Sequence, residues 1–150
     1  LDLAAYRAAL PSGRHFAGVA GGDSWTVDGG DVVSSAPELA RLTLNVAMVH
    51  HDVEAAGGRR LVYGGHTIGL AFAQITRVLP ELVTIVAWEG CDHTGPVYEG
   101  DTLHSTVTVT GTQPLPGGGG LVGLRSVVRA HRGDGVVEDV LDWRLTGVLA

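Results

Sequence analysis

The most regular pattern in the chain is one apolar helix followed by a series of strands. From 66 to 79 apolar residues cover most of a helix circumference, and Pro80 cannot continue the helix. Because such a helix is apolar on nearly every side, it must be enclosed by other elements. The segments with strand character that follow it are 82–88, 101–110, 121–130 and 136–149. This order predicts an α+β fold in which an antiparallel sheet wraps around a long central helix.

The predicted strand 101–110 has one apolar face and one polar face. Small and apolar residues alternate with polar ones along it, which is the period of two that a half-buried strand shows. The expected inward residues of this strand are Leu103, Ser105, Val107 and Val109. The segment 136–149 has inward candidates of the same kind at Val137, Leu141, Trp143 and Leu145. Both segments therefore indicate a sheet with one buried face.

The first part of the chain predicts shorter elements. Residues 1–10 can form a helix that Pro11 stops, and 24–27 has strand character. With 150 residues the chain fits one domain, 1–150, of which 1–15 is interpreted as an N-terminal extension.

The next segment is predicted to be helical. Asp31 can cap a helix over 32–42, and Pro37 divides this helix into two short pieces. Residues 45–58 show no periodicity and are expected to be irregular.

Composition and charge exclude several classes of protein. Apolar residues make up 45% of the chain and charged residues 17%, which is too hydrophobic for a disordered protein. No apolar run reaches the roughly 18 residues of a membrane span, so we expect a soluble protein without a membrane partner. The net charge of -6 and the absence of a Lys/Arg cluster argue against a nucleic-acid partner. Cys91 is the only cysteine, which excludes an internal disulfide and predicts a cytoplasmic location.

A dense group of titratable side chains lies at His50, His51 and Asp52. Imidazole is suited to proton transfer near neutral pH. In an extended trace adjacent side chains point apart, so we expect only one of the two histidines to face a pocket. From the residues alone, an exposed histidine pair is the favoured interpretation over a catalytic one. No recognised metal-ligand spacing is present, so no metal site is predicted.

Two glycines, Gly64 and Gly65, directly precede the apolar helix. They either ease a tight turn or let a ligand approach the unpaired amide groups at the amino end of the helix. The basic pair Arg59 and Arg60 lies just before them, as a solvated loop or as a contact for a coenzyme phosphate. His93 is interpreted as part of a pocket lip or of a turn.

A second turn lies around Gly100, directly before the strand 101–110. Glu99 and Asp101 flank this glycine and are interpreted as solvated or capping residues. No catalytic role is predicted for either carboxylate.

Taken together, these motifs resemble the MaoC-like acyl dehydratases over 16–149. The resemblance rests on the order of five segments: Trp25-Thr26-Val27, the helical stretch 32–42, the loop 45–52, Leu61-Val62-Tyr63-Gly64-Gly65-His66-Thr67, and Gly95-Pro96-Val97 followed by Gly100-Asp101-Thr102-Leu103. The chain is most similar to one half, the C-terminal half, of actinobacterial double-hot-dog dehydratases. The resemblance implies a hot-dog fold.

The resemblance also implies an activity in fatty acid metabolism, which is the addition of water to, or its removal from, a CoA-linked acyl chain. In that family an aspartate and a histidine activate the water. His50 matches the histidine, whereas Asn45 stands at the position of the aspartate. The resemblance therefore implies His50 as the acid–base group and Asn45 as a residue that positions water.

The family's glycine-rich turn implies a thioester-binding segment at Gly64, Gly65, His66 and Thr67. In this interpretation the amides of Gly65 and His66 stabilise the enolate oxygen. The implied substrate is an acyl-CoA, with no metal or redox cofactor. The implied partner is a second copy of the chain or another hot-dog domain. Two alternatives are a non-catalytic half-domain that completes a partner's site and a hot-dog thioesterase.

Overall fold

Six strands form one antiparallel sheet in the computed structural model of the chain, which describes residues 1–10 and 12–150. The strands are β1 (Ser24–Thr26), β2 (Asp31–Val32), β3 (Leu82–Asp92), β4 (Thr102–Pro114), β5 (Gly120–His131) and β6 (Val137–Leu149). Their order in the sheet is β1-β4-β5-β6-β3, and β2 also pairs with β4. The four strands predicted after the helix are confirmed, with β3 and β4 each extending four residues beyond the predicted end.

Three helices accompany the sheet within the described residues: α1 (Leu3–Ala9), α2 (Ala36–Leu42) and α3 (Gly64–Val78). Short 3₁₀ helices span Phe16–Gly18 and Met48–His50. The predicted first helix is confirmed as α1, while its predicted stop at Pro11 lies outside the described residues. None of the helices that the structure describes has the length and hydrophobicity of a membrane span.

The main core lies between α3 and one face of the sheet. Ala71 and Ile75 of α3 are buried against the sheet. The four residues predicted to point inward from β4 are all buried, which confirms its alternation. In β6 the residues Leu141, Trp143 and Leu145 are buried as predicted.

Val137 does not follow the prediction for β6, because its side chain is 53% exposed. It pairs with His131, the last residue of β5. The pairing of β5 with β6 has a register shift at Val128/Arg129, between this end of the two strands and their buried part. The period of two therefore does not carry through to the start of β6.

Helix α3 is enclosed on the sheet side only. Its opposite side exposes Gly69, Ala73 and Arg77. The predicted antiparallel sheet against a long helix is confirmed, and this open sheet covers one side of the helix. The partly buried side chains of Phe72 and Val78 pack at the margin of the core.

The segment predicted as two helical pieces is one short strand and one helix. Asp31 does not cap a helix; β2 pairs with Leu103 and Thr102 of β4. The Asp31 carboxylate instead accepts a hydrogen bond of 2.6 Å from Nε2 of the buried Gln74 and forms an ion pair with Arg77. These contacts hold β2 to α3, so only the part around Pro37 becomes helical.

Candidate functional site

One imidazole of the histidine pair, that of His50, is oriented by the backbone. Its Nδ1 lies 2.7 Å from the carbonyl oxygen of Leu61. Because a carbonyl oxygen can only accept, Nδ1 donates to this oxygen, and Nε2 has no hydrogen-bond partner among the described residues. The ring of Tyr63 packs against His50 edge-on, with 6.4 Å between the ring centroids. His50 is thus oriented by the backbone, and its Nε2 is open to a ligand.

His50 lines a cavity of about 310 Å³ at the amino end of α3. The residues around the cavity come from the His50 loop, the start of α3 and the turn after β3: His50, Leu61, Val62, Gly64, Thr67, His93, Gly95, Pro96 and Val97. The cavity therefore brings together four of the residues that the sequence singles out. These four are His50, Gly64, Thr67 and His93.

The free amide groups at the start of α3 lie one residue earlier than predicted. The N–H of His66 donates to the carbonyl oxygen of Tyr63 at 2.9 Å, so this amide is not available to a ligand. Within the described residues the N–H groups of Gly64 and Gly65 have no acceptor. The predicted donor pair of Gly65 and His66 is therefore corrected to Gly64 and Gly65.

Two rings cover the glycines at this helix end. A Cβ at Gly64 would lie 2.8 Å from Nε2 of His93, and a Cβ at Gly65 would lie 2.3 Å from Cζ of Tyr63. In their present positions the two rings leave no room for a Cβ at either glycine. Because Tyr63 covers Gly65, the cavity reaches Gly64 but not Gly65 or His66.

The other members of the histidine loop do not line the cavity. Nε2 of His51 lies 2.7 Å from the backbone oxygen of Asn45. Asp52 accepts hydrogen bonds from the amides of Glu54 and Ala55, so its carboxylate stabilises a turn. Asn45 itself is absent from the cavity wall. The structure thus separates Asn45, His51 and Asp52 from the free nitrogen of His50.

The basic pair before the glycines is engaged in ion pairs. Arg59 donates to Asp101 at 3.0 Å and stacks on the ring of Tyr98. Arg60 donates through two nitrogens to one oxygen of Glu99. Neither guanidinium is therefore a free cation for a coenzyme phosphate.

Asp101 is a buried structural anchor and not a solvated turn residue, because its side chain is 1% exposed. Its carboxylate accepts a 2.9 Å hydrogen bond from the Tyr98 amide and lies 3.6 Å from Nε of Arg132. Gly100 adopts a φ of 93° in the same turn, a conformation that favours glycine. The carboxylate therefore fixes the turn that leads from the cavity into β4.

His66 is a partly buried imidazole in the first turn of α3. Burial lowers the pKa of His66 from its usual value, against the raising effect of the Glu99 charge. Its Nδ1 is buried without a hydrogen-bond partner in the part of the chain that the structure describes. The neutral ring is consequently the form that the fold favours.

Two contributors to the site were not predicted, the Leu61 carbonyl and the Tyr63 ring. The carbonyl sets the tautomer of His50, and the ring covers Gly65. Leu61 is placed there by an isolated bridge to Tyr98. No pattern in a single sequence marks such a backbone acceptor.

A scan against protein-family models finds no match. The chain is 38% identical over 108 residues to the mesaconyl-CoA hydratase of Cereibacter sphaeroides, an alignment that covers 70% of this chain and 32% of the hydratase. The chain thus spans about a third of that curated relative.

Two solved structures share the fold over nearly the whole chain. Rv0216 of Mycobacterium tuberculosis, described as having a double hotdog fold, is 51% identical with a TM-score of 0.86, covering 99% of this chain and 44% of Rv0216. A putative MaoC domain protein dehydratase from Chloroflexus aurantiacus is 26% identical with a TM-score of 0.82, covering 95% of this chain and 46% of the dehydratase. This chain therefore has the hot-dog fold and is similar to MaoC-like dehydratases over nearly its whole length.

Proposed function

We propose that this chain is an acyl-thioester-binding domain that adds or removes water at a 2-enoyl or 3-hydroxyacyl CoA thioester. The observation that carries the proposal is the free Nε2 of His50 in a cavity that also reaches Gly64. The names of the mesaconyl-CoA hydratase and the putative dehydratase support the reaction class.

In the proposed reaction, the thioester carbonyl accepts a hydrogen bond from the free Gly64 amide at the amino end of α3. His50 Nε2 takes a proton from water as the water oxygen bonds to Cβ of the enoyl group. The electron pair of the double bond moves toward the thioester oxygen, where the amide and the helix dipole stabilise negative charge. Protonation of Cα then completes the hydration, and this chemistry calls for no metal or redox cofactor.

The decisive test follows the loss of enoyl-thioester absorbance with purified protein and short, branched and long enoyl-CoAs. His50→Ala is expected to lower the rate by about 10²- to 10⁴-fold, the usual contribution of an acid–base group. His51→Ala is the matched control, because the His51 ring bonds to the Asn45 backbone and does not line the cavity. An unchanged rate in His50→Ala would remove His50 from the mechanism.

A second candidate function is a non-catalytic half-domain that completes a partner's acyl-thioester site. The observation that favours it is the cavity wall, whose polar side chains are His50, Thr67 and His93, without a carboxylate. This candidate predicts that the chain binds an acyl-CoA but turns over no enoyl-CoA unless a partner domain is added. Release of free CoA thiol in the same assay would indicate a thioesterase instead.

The partner that we propose is a second hot-dog unit, packed against β3. This strand lies at an edge of the sheet and exposes Val86 (53%) and Trp88 (54%). An exposed apolar edge strand is a surface that proteins usually cover. The double hotdog description of Rv0216 supports a unit of the same fold as its cover.

Sedimentation at micromolar concentration tests this pairing with the chain alone and with an added second domain. Trp88→Lys is expected to shift any dimer toward monomer. A chain that stays monomeric under both conditions would contradict the proposal.

We also propose a cytoplasmic location, on the ground that the one cysteine, Cys91, is unpaired. Fractionation of cells that express the protein tests it. Recovery of the protein outside the cytoplasmic fraction would overturn it.

A further inference from the structure

We infer that His93 is the second acid–base group of the cavity, acting with His50 on opposite ends of the same water addition. The inference rests on the proposed function, and it assigns to His93 the proton transfer to Cα, for which the proposed reaction names no donor. Hydration needs two proton transfers, one from water and one to carbon.

The first observation is the inventory of titratable side chains around the cavity. Among the residues that form its wall, only His50 and His93 carry groups that exchange protons near neutral pH. They enter from different elements: His50 ends a 3₁₀ helix, and His93 directly follows β3. Two imidazoles from separate elements can therefore address one bound molecule from two sides.

The second observation is that His93 has no structural task in the hydrogen-bond network. Within the described residues neither of its ring nitrogens has a hydrogen-bond partner, whereas its neighbour Asp92 is paired with Arg144 at 2.7 Å. The imidazole of His51 likewise bonds to the backbone. His93 is thus free to exchange its proton with a ligand.

The third observation is the contact between His93 and Gly64. The ring lies so close to this residue that a Cβ there would be 2.8 Å from Nε2 and 3.0 Å from Cε1. The free amide proposed to hold the thioester oxygen belongs to the same residue. Because Cα of an enoyl thioester is bonded to the carbonyl carbon, a group beside this amide is also beside Cα.

The two proton transfers of the step balance. His50 accepts one proton from water, and the remaining hydroxyl bonds to Cβ. His93, in its imidazolium form, gives one proton to Cα as the enolate returns to the carbonyl. His50 then carries a proton and His93 is neutral, and exchange with solvent restores both. Dehydration runs through the same transfers in reverse.

The test uses the complete chain and compares pH–rate profiles of enoyl-CoA hydration for the wild type, His50→Gln and His93→Gln. His93→Gln is expected to lower kcat by about 10²- to 10⁴-fold and to remove the high-pH limb of the profile, where the imidazolium is lost. Binding of a saturated acyl-CoA, which cannot react, is expected to stay within about twofold, since the change spares the Gly64 amide.

His131→Gln is the matched control, because His131 is another exposed histidine, but its ring packs against that of His104 and does not line the cavity. Its rate and profile are expected to match the wild type. An active wild type with an unchanged profile in His93→Gln would overturn the role of His93 and leave the proposed function standing. A wild type without hydratase activity would overturn both.

Discussion

Two neighbouring regions of the molecule differ in whether their polar groups have partners. In the turn at Asp101, the buried carboxylate is matched by the Tyr98 amide, Arg59 and Arg132. In the cavity a few residues away, His93 and the Gly64 amide have no partner among the described residues, and His50 is tied on one nitrogen only.

The comparison distinguishes groups that stabilise the fold from groups that are available to a ligand. The cationic partners and the Tyr98 amide compensate the buried Asp101 carboxylate, so this carboxylate can fix the backbone of the turn. Groups without partners contribute little to the fold, but they can bind or transfer protons. We therefore expect changes in the turn to alter mainly stability and changes in the cavity to alter mainly ligand binding and turnover.

The largest expected effect on stability comes from Asp101→Ala. The change removes a carboxylate that is 1% exposed and leaves Arg132, itself 12% exposed, without one partner. Hydrogen bonds to charged groups contribute roughly 1.5–3 kcal/mol, so the free energy of unfolding is expected to fall by about 3 kcal/mol in urea denaturation.

Asp139→Ala is the control for this change, because Asp139 pairs with Arg129 on the surface, where both side chains are more than half exposed. Asp139→Ala is expected to lower the free energy of unfolding by less than about 1 kcal/mol. Equal losses in the two variants would contradict the view that Asp101 anchors the turn.

A smaller effect on stability, with a larger one on binding, is expected from Gly64→Ala. The new Cβ meets the exposed ring of His93, which can move, so the free energy of unfolding is expected to change by less than about 1 kcal/mol. The displaced ring and the added methyl group narrow the cavity, and Kd for an acyl-CoA is expected to rise by about tenfold.

Gly69→Ala controls for the helix itself, since a Cβ there meets nothing within 4 Å. It is expected to stabilise α3 by about 0.5–1 kcal/mol without changing Kd. If both alanine variants bound the acyl-CoA like the wild type, Gly64 would not belong to the site.

The smallest effect is a dependence of stability on pH through His66. Burial lowers its pKa in the folded state, so the unfolded chain takes up the proton first as the pH falls. Above about pH 6.5, which is the pKa of His66 in the unfolded chain, the stability is at its full value. It decreases as the pH falls below that pKa, until His66 in the folded chain is protonated as well. His66→Gln is expected to flatten urea midpoints measured across this window, and an unchanged slope would contradict the assignment.

The sequence predicted the elements with strong periodicity. Helix α3 and the buried face of β4 follow from apolar patterns that tertiary contacts only reinforce. Asp31 shows the limit of this reasoning. Its position before a helical pattern favours a cap, but pairing with β4 and contacts with Gln74 outweigh that local preference.

The sequence predicts which residues form the candidate site, but it does not predict their contacts. His50, Gly64, Thr67 and His93 were singled out by chemistry or by resemblance, and the fold brings them together. The burial of Asp101 and its partners depends on residues from Arg59 to Arg132, whose proximity no local pattern encodes. The hydrogen bond from the His66 amide to the Tyr63 carbonyl likewise depends on the geometry of the helix end, which no local pattern encodes.

The most direct test of the account is a crystal structure of the chain with a bound acyl-CoA. We predict that the thioester oxygen accepts a hydrogen bond from the Gly64 amide and that Nε2 of His50 faces the β-carbon from the same cavity. A thioester bound elsewhere on the sheet, with the amino end of α3 still free of ligand, would contradict the central claim.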